Sequence, residues 1–200
     1  MILLLAAAAA AADAPRLHYT KSFPGSTPAW VGISVDRAGA GLYKETPDDD
    51  NPLKFQLSTA EADEIFGLVA KLDHFSRPLE SPVKVAFMGM KTFRLESPER
   101  TGEVKFNFSA DPDARLLCDW FERITESEQH FINLERTVKY DKLGVLKALL
   151  LLESALDRKR VVAPSQYLPL LDRVIKNETF MHTARVRAAG IAETIRAAGK

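Results

Sequence analysis

The alternation of hydrophobic and polar residues changes character near Asp111. Before this point hydrophobic residues mostly recur at every second position, which is typical of strands with one buried face. Within residues 83–96, the hydrophobic side chains of Val83, Val85, Phe87, Phe93 and Leu95 all fall on the same set of alternate positions. This indicates one long strand, kinked at Gly89. The runs predicted as strands are 17–20, 30–35, 42–45, 53–57, 83–96 and 104–108.

A helix is predicted directly after the fourth of these runs. Ser58 and Glu61 have the spacing of a capping box, in which the serine oxygen and the glutamate carboxylate accept from unpaired backbone N–H groups. The hydrophobic residues that follow form one stripe at helical spacing: Ile65, Phe66, Val69 and Leu72. This stripe is expected to lie on the sheet.

From residue 111 to the end, the pattern is helical. Asp111 and Pro112 are suited to an N-cap and a first helical position. Residues 125–128, with the sequence Thr-Glu-Ser-Glu, resemble a second capping box, so the helix is expected to break and restart there. Further helices are predicted over residues 142–158, over 169–176 and after Asn177.

These patterns predict an α+β fold with an antiparallel sheet of about five or six strands, crossed by one helix, and then a helical C-terminal region of about four or five helices. The predicted organisation is a signal peptide over residues 1–12, an α+β domain over 13–110 and a helical region over 111–200, packed on or beside it.

The first twelve residues contain only Met, Ile, Leu and Ala, and three alanines precede Asp13. An apolar run followed by small residues is typical of a secretory signal peptide, which predicts a secreted or periplasmic protein. The alternative is an alanine-rich tail on a cytoplasmic protein. The next apolar stretch, 143–156, is interrupted by Lys147 and Glu153, so no transmembrane anchor is expected.

The charge of the chain argues against one class of partner, and its cysteine content excludes one kind of crosslink. The chain has 27 basic and 27 acidic residues, and its C-terminal segment mixes both signs on one predicted helix face. It therefore lacks the overall positive charge that favours nucleic acid, and no nucleic-acid partner is expected. Cys118 is the only cysteine, which excludes an internal disulfide, and its apolar neighbours favour a buried thiol.

The sequence predicts no catalytic, cofactor-binding or metal-binding residue. The motifs of serine hydrolases, zinc proteases, P-loops and EF-hands are absent. The four histidines, His18, His74, His130 and His182, have no second ligand at metal-binding spacing. Asp48, Asp49 and Asp50 form the densest carboxylate cluster, for which a hydrated loop is favoured over a calcium site.

The leading hypothesis is an exported, non-enzymatic protein that binds another protein or a component of the cell envelope. The alternative is an envelope hydrolase whose site is assembled from distant residues. A third hypothesis, small-ligand binding between the sheet and the helices, would need an internal apolar cavity. A contiguous exposed apolar patch or an unpaired sheet edge would favour the binding protein. A concave pocket with converging Asp, Glu or His would favour the enzyme. The sequence leaves the oligomeric state open.

Overall fold

A computed structural model describes residues 14–198 of the chain, so the predicted signal peptide lies outside the described residues. The chain divides into two compact units after Phe121. The strands, all in the first unit, are β1 (Arg16–Ser22), β2 (Trp30–Asp36), β3 (Ala40–Lys44), β4 (Leu53–Gln56), β5 (Met90–Glu96) and β6 (Thr101–Phe106). The helices are α1 (Thr59–Lys71), α2 (Pro112–Tyr140), α3 (Val145–Asp157), α4 (Leu168–Lys176) and α5 (His182–Ala198).

The six strands form one antiparallel sheet in the order β4-β3-β2-β1-β5-β6. Its two faces differ because side chains alternate across a strand. Tyr19 lies opposite Ile33 on one side and Phe93 on the other, and all three side chains are buried. His18 lies opposite Ser34 and Arg94 on the other, polar face.

Helix α1 and the start of α2 pack on the apolar face of the sheet. Phe121 stacks on Tyr19, with ring centroids 4.5 Å apart, and also contacts Phe93 at 5.8 Å. The two helices are linked by the indole of Trp120, whose Nε1 donates to Glu64 Oε1 at 3.2 Å. The predicted capping box of α1 is confirmed, since Ser58 and Glu61 accept from each other's backbone N–H.

The second unit contains the rest of α2 together with α3, α4 and α5. Its core is built from aliphatic side chains and alanines, with Tyr167 and Phe180 buried among them. Ala184, Ala188 and Ala192 on α5 are fully buried, and such small side chains permit close helix packing.

The antiparallel α+β fold predicted from the sequence is confirmed. The predicted break in the first long helix is wrong, because α2 runs without interruption from Pro112 to Tyr140. Ser127, inside the predicted box, is buried: its Oγ donates to the Arg123 carbonyl and accepts from the Val162 N–H at 2.9 Å. Glu128, the N3 position of the predicted box, is fully buried too, and its Oε1 accepts from Gln166 at 2.8 Å, so tertiary contacts use the side chains that the local pattern assigned to a cap.

The predicted long strand over residues 83–96 is also wrong in its first half. Strand β5 begins at Met90, and residues 83–89 form no ladder. Gly89 has a φ of +93°, which turns the chain out of the sheet. The partner strand β6 ends at Phe106, opposite Lys91, so the sheet offers residues 83–89 no continuing partner on that side.

Candidate protein-interaction surface

Within residues 14–121, the part of the first unit that the structure describes, residues 83–90 form the most exposed apolar stretch. The side chains of Val83, Val85, Phe87, Met88 and Met90 are between 39% and 63% exposed. We call residues 83–90 the apolar segment. Large hydrophobic side chains clustered in this way are uncommon on a monomer surface and usually mark a contact with a partner.

The residues that lead into the apolar segment are fixed to the chain that follows β6. Both carboxylate oxygens of Glu80 accept from backbone N–H groups, that of Asn107 at 2.6 Å and that of Phe108 at 3.3 Å. The N–H of Ser81, which is buried, donates to the Phe108 carbonyl at 2.8 Å. One end of the segment is therefore held at a defined position.

The amide side chain of Asn107 holds the middle of the segment. Its Oδ1 accepts from the Met88 N–H at 2.6 Å, and its Nδ2 donates to the Ala86 carbonyl at 3.1 Å. This pair of contacts replaces the bonds that a neighbouring strand would make to the same backbone. The backbone is thus satisfied while the side chains of the segment remain outside the core.

A buried lysine fixes the other end. Lys91 is 7% exposed, and its Nζ donates to the carbonyls of Met88 at 3.4 Å, Gly89 at 3.1 Å and Asn107 at 2.9 Å. Burying an ammonium is unfavourable unless such acceptors surround it. The ring of Phe87 meets that of Phe23 edge-on, with centroids 5.9 Å apart. The segment is therefore preorganised at both ends.

The sequence pattern missed this surface because its alternation is that of a buried strand. The available signal was length: the predicted strand over residues 83–96 has fourteen positions, whereas the return strand over 104–108 has five. An antiparallel partner that short leaves the early residues without a ladder. The exposed positions follow from that mismatch.

The histidines lie on separate elements. His18 on β1 contacts Glu96, with Nε2 and Oε2 3.0 Å apart, and burial lowers its pKa more than the carboxylate raises it. His130 on α2 lies 3.9 Å from Glu126, and burial lowers its pKa as well. His74 lies in a turn after α1, and His182 begins α5.

Within residues 14–198, no group of three or more His, Cys, Asp or Glu side chains has a geometry that would hold a metal ion. The loop at Asp48–Asp50 is largely exposed, and Asp49 accepts from the Asn51 N–H at 2.9 Å. Cys118 is partly buried on α2. The structure therefore does not bring these candidate residues together.

The polar face of the sheet carries several ion pairs. Arg16 contacts Asp36 at 3.3 Å, and Glu96 contacts both His18 and Arg94. A depression of about 750 Å³ lies beside Arg94 and Glu96. Ser34 lies opposite His18 in register, but its Oγ accepts from Arg16 at 3.5 Å.

No helix among the described residues has the length and hydropathy needed to cross a membrane. No protein-family model matches the sequence, and no characterised protein is significantly similar to it. Function therefore has to be inferred from the geometry of the molecule.

Proposed function

We propose that this chain is an exported, non-enzymatic protein that binds another protein through the apolar segment. The observation that carries the proposal is a run of exposed Val, Phe and Met side chains whose backbone is fixed by Glu80, Asn107 and Lys91. A preorganised surface loses little conformational entropy on binding, so more of the contact energy is realised as affinity.

The shape and chemistry of the segment define the partner. Because its side chains project outward, the matching surface is a hydrophobic cleft. Phe87 supplies a rigid anchor, and the flexible Met88 and Met90 fill irregular space around it. Complete burial of each such side chain in the cleft contributes roughly 1.5–3 kcal/mol of favourable transfer free energy. A carboxylate at the rim of the cleft would pair with Lys84.

A protein partner fits these residues better than a membrane surface does. Segments that hold to anionic lipid combine apolar residues with clusters of about four to eight Lys or Arg. The apolar segment contains one, Lys84. The chain as a whole has no net charge, so it gains nothing from a negatively charged bilayer.

The first experiment identifies the partner. The full chain, carrying a photo-crosslinking phenylalanine analogue in place of Phe87, is irradiated in its native cell envelope and the adduct is identified by mass spectrometry. The partner is then purified, and its affinity for the unmodified chain is measured by calorimetry. Binding of the purified partner at micromolar or lower Kd is the expected result.

The double substitution Phe87→Ser and Met88→Ser tests the surface itself. Both side chains are about half exposed, so the fold is retained while the apolar contact is lost. Affinity should fall at least tenfold, the effect of about 1.4 kcal/mol. Val186→Ser is the matched control, because Val186 is 58% exposed in the other unit, and it should leave affinity unchanged.

Four results would overturn the proposal. The first is unchanged affinity of the Phe87 and Met88 variant for the purified partner. The second is equal sensitivity to Val186→Ser. The third is a crosslink to lipid together with flotation on vesicles of phosphatidylglycerol. The fourth is a crosslink only to a second copy of the chain, with matching self-association measured by sedimentation.

Export is tested separately. Met1–Ala12 carries the composition on which it depends, and cleavage after Ala12 would leave Asp13 as the first residue. Mass analysis of protein isolated from its own cells should find that N-terminus in an extracytoplasmic fraction. A retained Met1 in the cytoplasmic fraction would refute export without affecting the binding surface.

A further inference from the structure

A second feature of the first unit is a cavity of about 540 Å³ between α1, the end of β5 and the turn that joins β5 to β6. Its floor consists of Phe66, Val69 and Leu95, which are all at least nine-tenths buried. Its polar lining, the rim, consists of Arg37, His74, Ser97, Glu99 and Arg100. The volume lies within the range of small-molecule sites, about 300–1,000 Å³.

The rim places two guanidinium groups, those of Arg37 and Arg100, above an apolar floor, together with the single carboxylate of Glu99. Arg100 Nη1 donates to His74 Nδ1 at 2.9 Å, so this imidazole nitrogen is the acceptor and the neutral ring carries its proton on Nε2. Within residues 14–198, the Arg100 guanidinium makes no other side-chain hydrogen bond than the one to His74. Its remaining N–H groups are available to an anion.

Arg37 supplies a second cation. Its guanidinium lies over the Phe66 ring, 5.0 Å from the centroid, and 3.7 Å from Asp63 in an exposed contact. Stacking on the ring positions the planar group at the mouth of the cavity, and an exposed ion pair of this length is weak. A ligand anion can therefore compete for it.

The backbone beside the rim is strained. Asp73, His74 and Phe75 have φ values of 52°, 54° and 66°, a left-handed conformation that non-glycine residues adopt at a cost of about 1–3 kcal/mol each. The turn is held by the stacking of Phe75 on Phe93 at 5.4 Å and by Arg77, which contacts Asp73 at 3.2 Å. Such strain is concentrated at ligand sites, and here it positions the His74 ring.

We propose that this cavity binds a small amphipathic carboxylate, such as a medium-chain fatty acid. The alkyl chain would lie on Phe66, Val69 and Leu95, while Arg100 and Arg37 would bind the carboxylate and His74 Nε2 would donate to it. The inference does not depend on the proposed function, because the cavity shares no residue with the apolar segment.

The test is calorimetric titration of the full chain with decanoate, with decan-1-ol as the uncharged probe. Decanoate should bind at least tenfold more tightly than the alcohol, because the free energy of a hydrogen bond to a charged group corresponds to a tenfold or larger change in Kd. Arg100→Gln should weaken decanoate binding about tenfold and leave the alcohol unaffected. Arg37→Gln should have an effect in the same direction.

A matched pair of helix substitutions locates the ligand. Ala70 lines the cavity from α1, is exposed, and can be enlarged without entering the core. Ala70→Leu should reduce decanoate affinity at least tenfold, whereas Ala60→Leu, an exposed position on the same helix outside the cavity, should not change it. Thermal unfolding confirms that both variants are folded.

No binding of decanoate to the unmodified chain would overturn the proposal. Undiminished binding to the Ala70→Leu variant would overturn it as well. That result would place the ligand elsewhere, for example on the apolar residues 1–12. Equal affinity for decanoate and decan-1-ol together with no effect of Arg100→Gln would remove the assigned carboxylate site.

Discussion

Gly102 on β6 lies directly against the carbonyl oxygen of His74. A Cβ added at position 102 would stand 2.0 Å from that oxygen, far inside van der Waals contact. The left-handed turn at Asp73–Phe75 can therefore approach the sheet only where the strand has no side chain. This one contact links the strained backbone beside the cavity to the edge strand.

Gly102→Ala is expected to destabilise the first unit by about 1–3 kcal/mol, because the neighbouring atom is rigid backbone. Urea unfolding followed by tryptophan fluorescence measures this unit specifically, since Trp30 and Trp120 both lie in it. The same variant should weaken decanoate binding. Unchanged unfolding at full decanoate affinity would contradict the close approach.

Gly67→Ala is expected to act in the opposite direction. Gly67 lies inside α1, and a Cβ added there meets nothing within 4 Å. Alanine in a helix interior is favoured over glycine by about 0.5–1 kcal/mol, so the urea midpoint of the first unit should rise. Gly190→Ala on α5 is the equivalent change in the second unit. A fall in stability at either position would show an unrecognised contact.

Lys91→Met is expected to loosen the apolar segment. Its ammonium supplies donors to the carbonyls of Met88, Gly89 and Asn107, and the loss of a buried partner costs about 1–3 kcal/mol. Limited proteolysis should then cut within residues 83–90 faster than in the unmodified chain. Lys84→Met, an exposed change inside the segment, is the control and should leave overall stability unchanged. Equal cleavage rates in all three proteins would refute the anchoring role.

Glu128→Gln is expected to stabilise the second unit in a pH-dependent way. Glu128 is fully buried, and burial raises the pKa of its carboxyl from 4.5 to about 7. Its Oε1 accepts from Gln166 at 2.8 Å, and Oε2 has no hydrogen-bond partner among the described residues. The folded chain thus binds more protons than the unfolded chain between these values, so its stability falls as the pH rises through this range.

The glutamine variant removes that ionisation and keeps an oxygen for Gln166. At pH 5 its stability should resemble that of the unmodified chain, and at pH 8 it should be greater by up to about 3 kcal/mol. Helical circular dichroism during denaturation is the measurement. Glu135→Gln, an exposed change on the same helix, controls for net charge. A difference that is independent of pH would contradict the raised pKa.

Ser58→Ala is expected to lower the stability of the first unit by about 1 kcal/mol, because Ser58 Oγ accepts from the Glu61 N–H at the start of α1. Ser165→Ala, at an exposed site in the second unit, should have little effect on the same tryptophan signal. A smaller loss for Ser58→Ala than for Ser165→Ala would refute the capping role.

Local patterns were sufficient for the strands and helices whose signals lie within a few residues. The capping box at Ser58 and Glu61 and the alternation of Leu53, Phe55 and Leu57 both correspond to observed structure. These features depend on backbone bonding and on one buried face, which neighbouring residues in the chain define.

Local patterns reveal neither the apolar segment nor the cavity. The apolar segment has the alternation of a core strand, and only the end of β6 at Phe106 leaves it outside the sheet. The cavity joins Arg37, Phe66, His74 and Arg100, residues separated by up to sixty-three positions. No spacing rule relates such distant positions.

By itself, the sequence determined the α+β class, the antiparallel strands and the first helix, because propensity, capping and hydrophobic periodicity act over short stretches of chain. Only the tertiary structure decided that Glu128 serves a buried contact in place of a capping box, that residues 83–89 leave the sheet, and that Gly102 admits a strained turn. Each of these depends on where a distant backbone passes, and that position is fixed by packing of the whole unit.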